Sequence, residues 1–422
     1  MNSKLVVVSP ENHGLSVLVN LALKHNINEI VYSIYDFQDK SIGSFSRRFY
    51  ITWPIKKFRL KRLGFVLNKL PTNKTTASEI SYDSLKKLRN VYLRVCQDDF
   101  VFKNGRFPLR EELDAFQQDV DWIKFLEVSK SVKEYIVKSG VTDLFVFNGR
   151  PMILRLLEVI CKEEGINFHI SEILGGSENT LTYFSSRVTF WDLHSFSLEI
   201  SQYYQNAISS SNENKVNSIA ENYYQRRILG KDAFLKEWLK DTISVPIADS
   251  GKKICSFFFS SIDELPAFNQ IDKEINYLDQ ISLVRQISKI IRDDFKQYQF
   301  VVKVHPRMVH EKKLSIFMRD VLELGKDGIN IVPMNTNPYE LISQSDVVCA
   351  SVSSIAWDAT FAGKCAIIFG GSWAMAHDAH HTVDNWEEFR SIMKNPKAKD
   401  IKGALPVAYF IETAGDLYTK KI

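Results

Sequence analysis

The chain has 422 residues, of which 45% are hydrophobic and 25% charged, with a formal net charge of +4. That length exceeds one small core and favours two domains, and the apolar fraction is ordinary for a soluble globular protein. The charge is too mild for the strongly basic face that nucleic-acid binding calls for.

Residues 1–14 hold one short apolar run that meets a turn at once, too short for a signal peptide or a membrane span, and no later segment is long enough to cross a bilayer. The five cysteines, Cys96, Cys161, Cys255, Cys349 and Cys365, are scattered without zinc or redox spacing. A reducing cytoplasm is the expected location.

The chain opens as strand 4–9, turn 10–14, helix 15–25 and strand 29–35. In such a βαβ start the first turn lies at the carboxyl edge of the first strand, where open α/β sheets bind ligands. Residues 43–71 are irregular and basic, and helical periodicity follows over 77–97 and 109–140. A second unit reads strand 142–148, turn 149–150, helix 152–164 and strand 167–173; polar helices fill 195–240. The periodicity breaks around Val245-Pro246-Ile247-Ala248-Asp249-Ser250-Gly251. The expected boundary there separates a first domain, 1–248, with helical insertions, from a second, 249–422. Strands at 253–260, 299–305, 329–333, 347–350 and 365–369 then alternate with helices at 277–295, 312–324, 338–344 and 354–362. This alternation implies a parallel sheet covered on both faces. One more helix and a weakly structured end follow from about 385. The expected fold class is α/β, with two doubly wound, Rossmann-like domains facing across a cleft.

Three loops at the carboxyl ends of second-domain strands are polar: Phe259-Ser260-Ser261-Ile262-Asp263-Glu264, Lys303-Val304-His305-Pro306-Arg307 and Ser351-Val352-Ser353-Ser354. Asp358 follows one turn into the helix, on the face of Ser354. Hydroxyls and backbone N–H groups suit a phosphate, a carboxylate suits ribose hydroxyls, and Lys303, His305 and Arg307 supply charge against a leaving phosphate. Taken singly, Ser353 or Ser354 also serves as a plain N-cap, and His-Pro as a strand-to-turn device.

The strings Phe258-Phe259-Ser260-Ser261-Ile262-Asp263-Glu264, Val302-Lys303-Val304-His305-Pro306 and the segment from Ser351-Val352-Ser353-Ser354 to Lys364 resemble the C-terminal half of bacterial capsule and surface-polysaccharide biosynthesis proteins. Those proteins are similar to glycosyltransferases of the GT-B fold. The His-Pro and Ser-rich elements also resemble bacterial sialyltransferases and Kdo transferases, which use CMP-activated sugars. The resemblance spans roughly residues 255–375 and implies that His305 contacts the donor phosphate while Ser353 and Ser354 hold it. With the three strand-end loops, the expected donor site comprises Ser260, Ser261, Lys303, Arg307, Ser351, Ser353, Ser354 and Asp358.

A transferase also needs a base for the acceptor hydroxyl, expected from the first domain. Glu172 is the leading candidate, since it ends an expected strand and Gly175-Gly176 follow, leaving room for a substrate. The sialyltransferase base motif is an acidic pair before a glycine. Here a single Glu stands further from its glycines, and a solvated strand-end carboxylate is the plain alternative. Glu11 and His13 in the first turn come second, His13 because its pKa lies near neutral. Asn148 and Arg150 suit a sugar or an anionic acceptor, or simply form a turn with Gly149.

His377, His380 and His381 have no Cys or second acidic cluster nearby in sequence, so a donor-site lid is expected in place of a metal site. Asp119-Val120-Asp121 lies in a helical stretch and reads as solvated surface. Residues 53–70 interleave Lys56, Lys57, Arg59, Lys61, Arg62 and Lys69 with apolar side chains. Either an anionic membrane surface, at the inner face of the plasma membrane, or a solvated basic face accounts for them. The expected function is transfer of a sugar from a nucleotide-activated donor, a CMP-sugar being favoured, to a capsule, lipopolysaccharide or lipid-linked glycan. No cofactor, bound metal or nucleic-acid partner is expected. A CDP-glycerol-type polyol-phosphate transferase, a sugar-nucleotide 2-epimerase and a non-catalytic capsule-assembly subunit are the rivals.

Overall fold

The computed structural model describes residues 3–8, 12–27, 29–32, 60–62, 66–69, 122–147, 152–175, 182–231, 239–247, 251–261, 265, 275, 279–309 and 315–417. The helices expected over 77–97 and 109–121, residues Glu11, Asn148, Arg150 and Asp119-Val120-Asp121, and most of the basic stretch 53–70 lie outside them. His13 and Arg307 are described by their backbone alone.

Two sheets organise the chain. In the first, β1 (Ser3–Val8), β2 (Glu29–Tyr32), β3 (Val66–Lys69), β4 (Val141–Phe147) and β5 (Asn167–Gly175) run parallel. β6 (Thr182–Ser186) turns back antiparallel to β5, and β13 (Asp416–Leu417) pairs antiparallel with β6. The order is β3-β2-β1-β4-β5-β6-β13. The second sheet holds β7 (Lys253–Phe258), β8 (Tyr298–Lys303), β9 (Asn330–Ile331), β10 (Val347–Ser351), β11 (Cys365–Phe369) and β12 (His381–Val383), all parallel, ordered β9-β8-β7-β10-β11-β12. Strand order therefore reverses between β1 and β4 in one sheet and between β7 and β10 in the other. Reversal points of this kind open a crevice at the carboxyl ends of the strands.

Local sequence explains the second sheet well. β10 and β11 are buried at every residue, as continuous apolar strands covered on two faces must be. The helix α6 (Gln280–Asp294) buries Ile281, Val284, Ile287 and Ile291 on one stripe, and Asp279 caps it by accepting from Ser282 N at 3.2 Å.

Other helices join the halves. α4 (Leu193–Ser210), α5 (Glu213–Ile228) and α11 (Leu405–Thr413) pack together, and their apolar faces run into the same core as Val348, Trp357 and Ala366 of the second half. Phe184 and Phe196 meet both Trp373 and Phe410, and Phe190 meets Trp373, at ring-centroid distances of 5.1–6.3 Å. On this side the halves share one interior.

Two connections cross between the halves on either side of residue 248. β13 joins the first sheet, so the chain returns to its starting half at the end. Before 248, Ile243 already pairs with Thr336 of the second half; its N–H donates to Asn335 O at 2.8 Å and its C=O accepts from Asn337 N at 2.9 Å. The tail expected to hold one helix holds α10 (Trp386–Lys394) and α11. β6 had no counterpart in the sequence reading.

Candidate functional site

Register sets the second sheet's carboxyl edge. Phe258 lies opposite Lys303 on one side and Ala350 on the other, and Ser351 lies opposite Phe369. The loops after β7, β8 and β10 therefore leave the sheet at one level, on either side of the order reversal. Ser260 ties two of them together, its hydroxyl donating to Val352 O at 2.9 Å. Gln280 clamps the same loop, accepting from Ser260 N at 2.7 Å and donating to Ser260 O at 3.1 Å.

Burial divides the expected donor residues. Ser260, Ser261, Ser351 and Asp358 are 4%, 2%, 0% and 0% exposed. The structure engages two of these side chains within the fold. Ser260 is a loop clamp. Asp358 holds Arg227 of α5: Nε and Nη2 donate to its Oδ2 at 3.1 and 2.9 Å, and the Tyr339 hydroxyl donates to the same oxygen at 3.3 Å. Arg227 had no place in the sequence reading; its only local signal is the Tyr223-Tyr224 pair preceding it in a polar helix.

Ser353 and Ser354 are half-buried and lead into α9 (Ile355–Phe361). The Ser353 hydroxyl accepts from Ile355 N at 3.3 Å. Ser354 sits at the N-cap but makes no capping hydrogen bond; its hydroxyl accepts instead from Arg227 Nη2 at 3.3 Å. Each hydroxyl thus receives a hydrogen bond, and among the described residues no acceptor takes either proton. Two donors side by side at a reversal point are complementary to an anion.

His305 follows β8, half-buried, and its C=O accepts from Met308 N at 3.0 Å in the turn Pro306–Val309 that includes Arg307. Lys303 is buried, with its ammonium donating to Met334 O at 2.9 Å and Val304 O at 3.4 Å. Burial lowers its pKa to about 8. No carboxylate of the described residues pairs with it, so it adds uncompensated positive charge beneath the edge.

In the first half, Glu172 does not end its strand, because β5 continues to Gly175. Ser171 is in register with Phe147, the last residue of β4, so Glu172 stands one residue beyond the β4 end, and its Oε1 accepts from Ile173 N at 2.9 Å. The overshoot of β5 and β6 past β4 keeps this carboxylate at the edge of the parallel strands. In the chain, Glu11 follows β1, and Asn148 and Arg150 follow β4, the two strands where order reverses.

The loop expected to form a lid is packed down. Ala376 N donates to Ser197 Oγ of α4 at 2.9 Å, and Trp373 Nε1 to Phe190 O at 3.3 Å. His380 is buried against Ser372, and burial pushes the pKa of both His377 and His380 down to about 4. Among the described residues no three His, Cys, Asp or Glu side chains gather at metal-binding range.

No protein-family model matches the chain, and no curated protein matches it. Among solved structures it is similar to the Thermosulfurimonas dismutans KpsC beta Kdo 2,4 transferase, at 10% identity over 64% of this chain and 79% of that one, TM-score 0.40. It is similar to the Methanocaldococcus jannaschii UDP-GlcNAc 2-epimerase at 13% identity over 96% and 98% of the two chains, TM-score 0.34. The third is an alpha,alpha-trehalose-phosphate synthase (UDP-forming) from Burkholderia vietnamiensis, at 11% identity over 98% and 93%, TM-score 0.33. By the topology of its own two sheets, the chain has the α/β class expected from its sequence, a pair of doubly wound, Rossmann-like sheets.

Proposed function

We propose that the chain is a glycosyltransferase that moves a sugar from a nucleotide-activated donor, a CMP-sugar in the favoured case, to a bacterial surface glycan or its lipid-linked precursor. The observation that carries this reading is the Ser353 and Ser354 pair: two hydroxyl protons without a described acceptor, at the strand-order reversal of the second sheet. A donor phosphate supplies the acceptor atoms they lack. Lys303 adds positive potential from below, His305 is the residue to which the sequence resemblance assigns the phosphate contact, and Arg307 is proposed beside it. These groups stabilise the negative charge that develops on the leaving nucleotide, so the reading needs no bound divalent ion.

Glu172 is the proposed base, taking the proton of the acceptor hydroxyl as the sugar–phosphate bond breaks. Asn148 and Arg150, Glu11 and His13 are proposed for the acceptor side. Peripheral contact with the inner membrane through 53–70 belongs to the same reading; equal liposome sedimentation of wild type and a charge-neutralised variant removes it.

Thermal-shift measurements with CMP, CDP, UDP and GDP test the donor. Stabilisation by CMP alone supports a CMP-sugar, stabilisation by UDP or GDP redirects the donor, and no response to any of them defeats the phosphate site. Glu172→Gln is expected to slow transfer about 10²–10⁴-fold while leaving nucleotide binding intact. Conversion of the donor without an acceptor would identify an epimerase in place of a transferase.

A further inference from the structure

Arg227 comes from α5, outside every loop assigned to the site, and is 8% exposed. Its Nε and Nη2 both donate to Asp358 Oδ2, and its Cζ lies 5.0 Å from the centre of the Tyr223 ring. A plain staple between α5 and α9 would be complete with these contacts. Nη2 makes one more, to Ser354 Oγ at 3.3 Å. A guanidinium is donor-only, so it occupies a lone pair of that hydroxyl and never takes its proton. The hydroxyl is left with its proton to give.

We propose that Arg227 is a positioning residue: anchored by Asp358, it fixes the Ser354 hydroxyl as a hydrogen-bond donor toward an anionic ligand. On the functional reading above, on which this rests, that ligand is the phosphate of the donor nucleotide. Without the guanidinium, Ser354 is free to turn its proton to neighbouring backbone carbonyls, as serines at helix starts readily do. Arg227 then acts on the ligand only through Ser354, and that dependence separates positioning from support of the fold.

The test is a double-mutant cycle on nucleotide affinity, by calorimetry with the nucleotide that stabilises the wild type. Ser354→Ala and Arg227→Lys are each expected to weaken binding about tenfold. Their combination should bind no more weakly than Ser354→Ala alone, because the arginine acts through the missing hydroxyl. Losses that multiply, or Arg227→Lys binding like wild type, overturn the proposal and leave Arg227 a staple. Where Arg227→Lys does not fold, Asp358→Asn replaces it, since the amide keeps the shape and loosens the anchor; the same non-additivity with Ser354→Ala is expected. Wild type that binds no nucleotide at all overturns the phosphate reading first and the positioning role with it, a result distinct from a failed cycle.

Discussion

Lys303 carries an ammonium into a place where its described partners are the carbonyl oxygens of Met334 and Val304. Burial lowers its pKa from 10.5 to about 8. Between those two values the unfolded chain holds the proton more firmly than the folded one, so stability rises with pH across that window. Below it, the folded protein keeps a buried charge at a cost. Lys303→Met is therefore expected to raise stability near pH 7 by about 1–3 kcal/mol, with the advantage shrinking toward pH 10, while weakening nucleotide binding. Urea denaturation at both pH values checks it; a destabilised variant near pH 7 would mean that the carbonyl contacts outweigh the cost of the charge. The polar runs that hold Lys303, Ser353 and Ser354 were legible because each lies at a strand end. The contacts of Ser260 and Asp358 were not, because their partners lie far along the chain: Val352 is 92 residues from Ser260, and Arg227 is 131 from Asp358.

At the scale of elements, α5 joins two others through adjacent arginines. Arg226 pairs with Glu412 of α11, and Arg227 with Asp358 of α9. Tyr223 accepts from Trp357 Nε1 at 3.2 Å, and Tyr224 stacks on Phe361 at 5.2 Å between centroids. Asp358→Ala would leave the guanidinium buried without its anion and is expected to cost about 3–5 kcal/mol, read by chemical denaturation. A cost below about 1 kcal/mol would show that water reaches Arg227 freely. Helical periodicity foretold that α5 exists. Its polar composition concealed that Tyr223, Tyr224 and Arg227 all face inward, because the surface they meet is supplied by the other half.

Over the whole molecule, the returning tail decides how the halves unfold. α11 packs on α4 and α5, and β13 closes the free edge of β6. Removal of residues 405–422 is expected to strip hydrogen-exchange protection from β6, α4 and α5 while β7, β8, β10 and β11 keep theirs. Uniform loss across both sheets would show that the halves cannot hold structure separately. Gly403 marks how tightly the tail fits: a Cβ there would stand 2.6 Å from His377 O and 2.8 Å from Ala379 N. Gly403→Ala should therefore lower the melting temperature by pushing the 377–379 backbone away, which differential scanning calorimetry would detect.

The sequence by itself determined five of the six strands of the second sheet and the helices between them, the α/β class, and the polar loops after β7, β8 and β10. These depend on hydrophobic period and turn chemistry, which are properties of neighbours along the chain. Only the tertiary structure decided which hydroxyls stay accessible, that Arg227 holds Asp358 and Ser354, that β5 runs past Glu172, and that the last strand returns to the first sheet. Those outcomes depend on which distant surfaces meet, and burial then decides whether a polar side chain serves a ligand or another part of the fold.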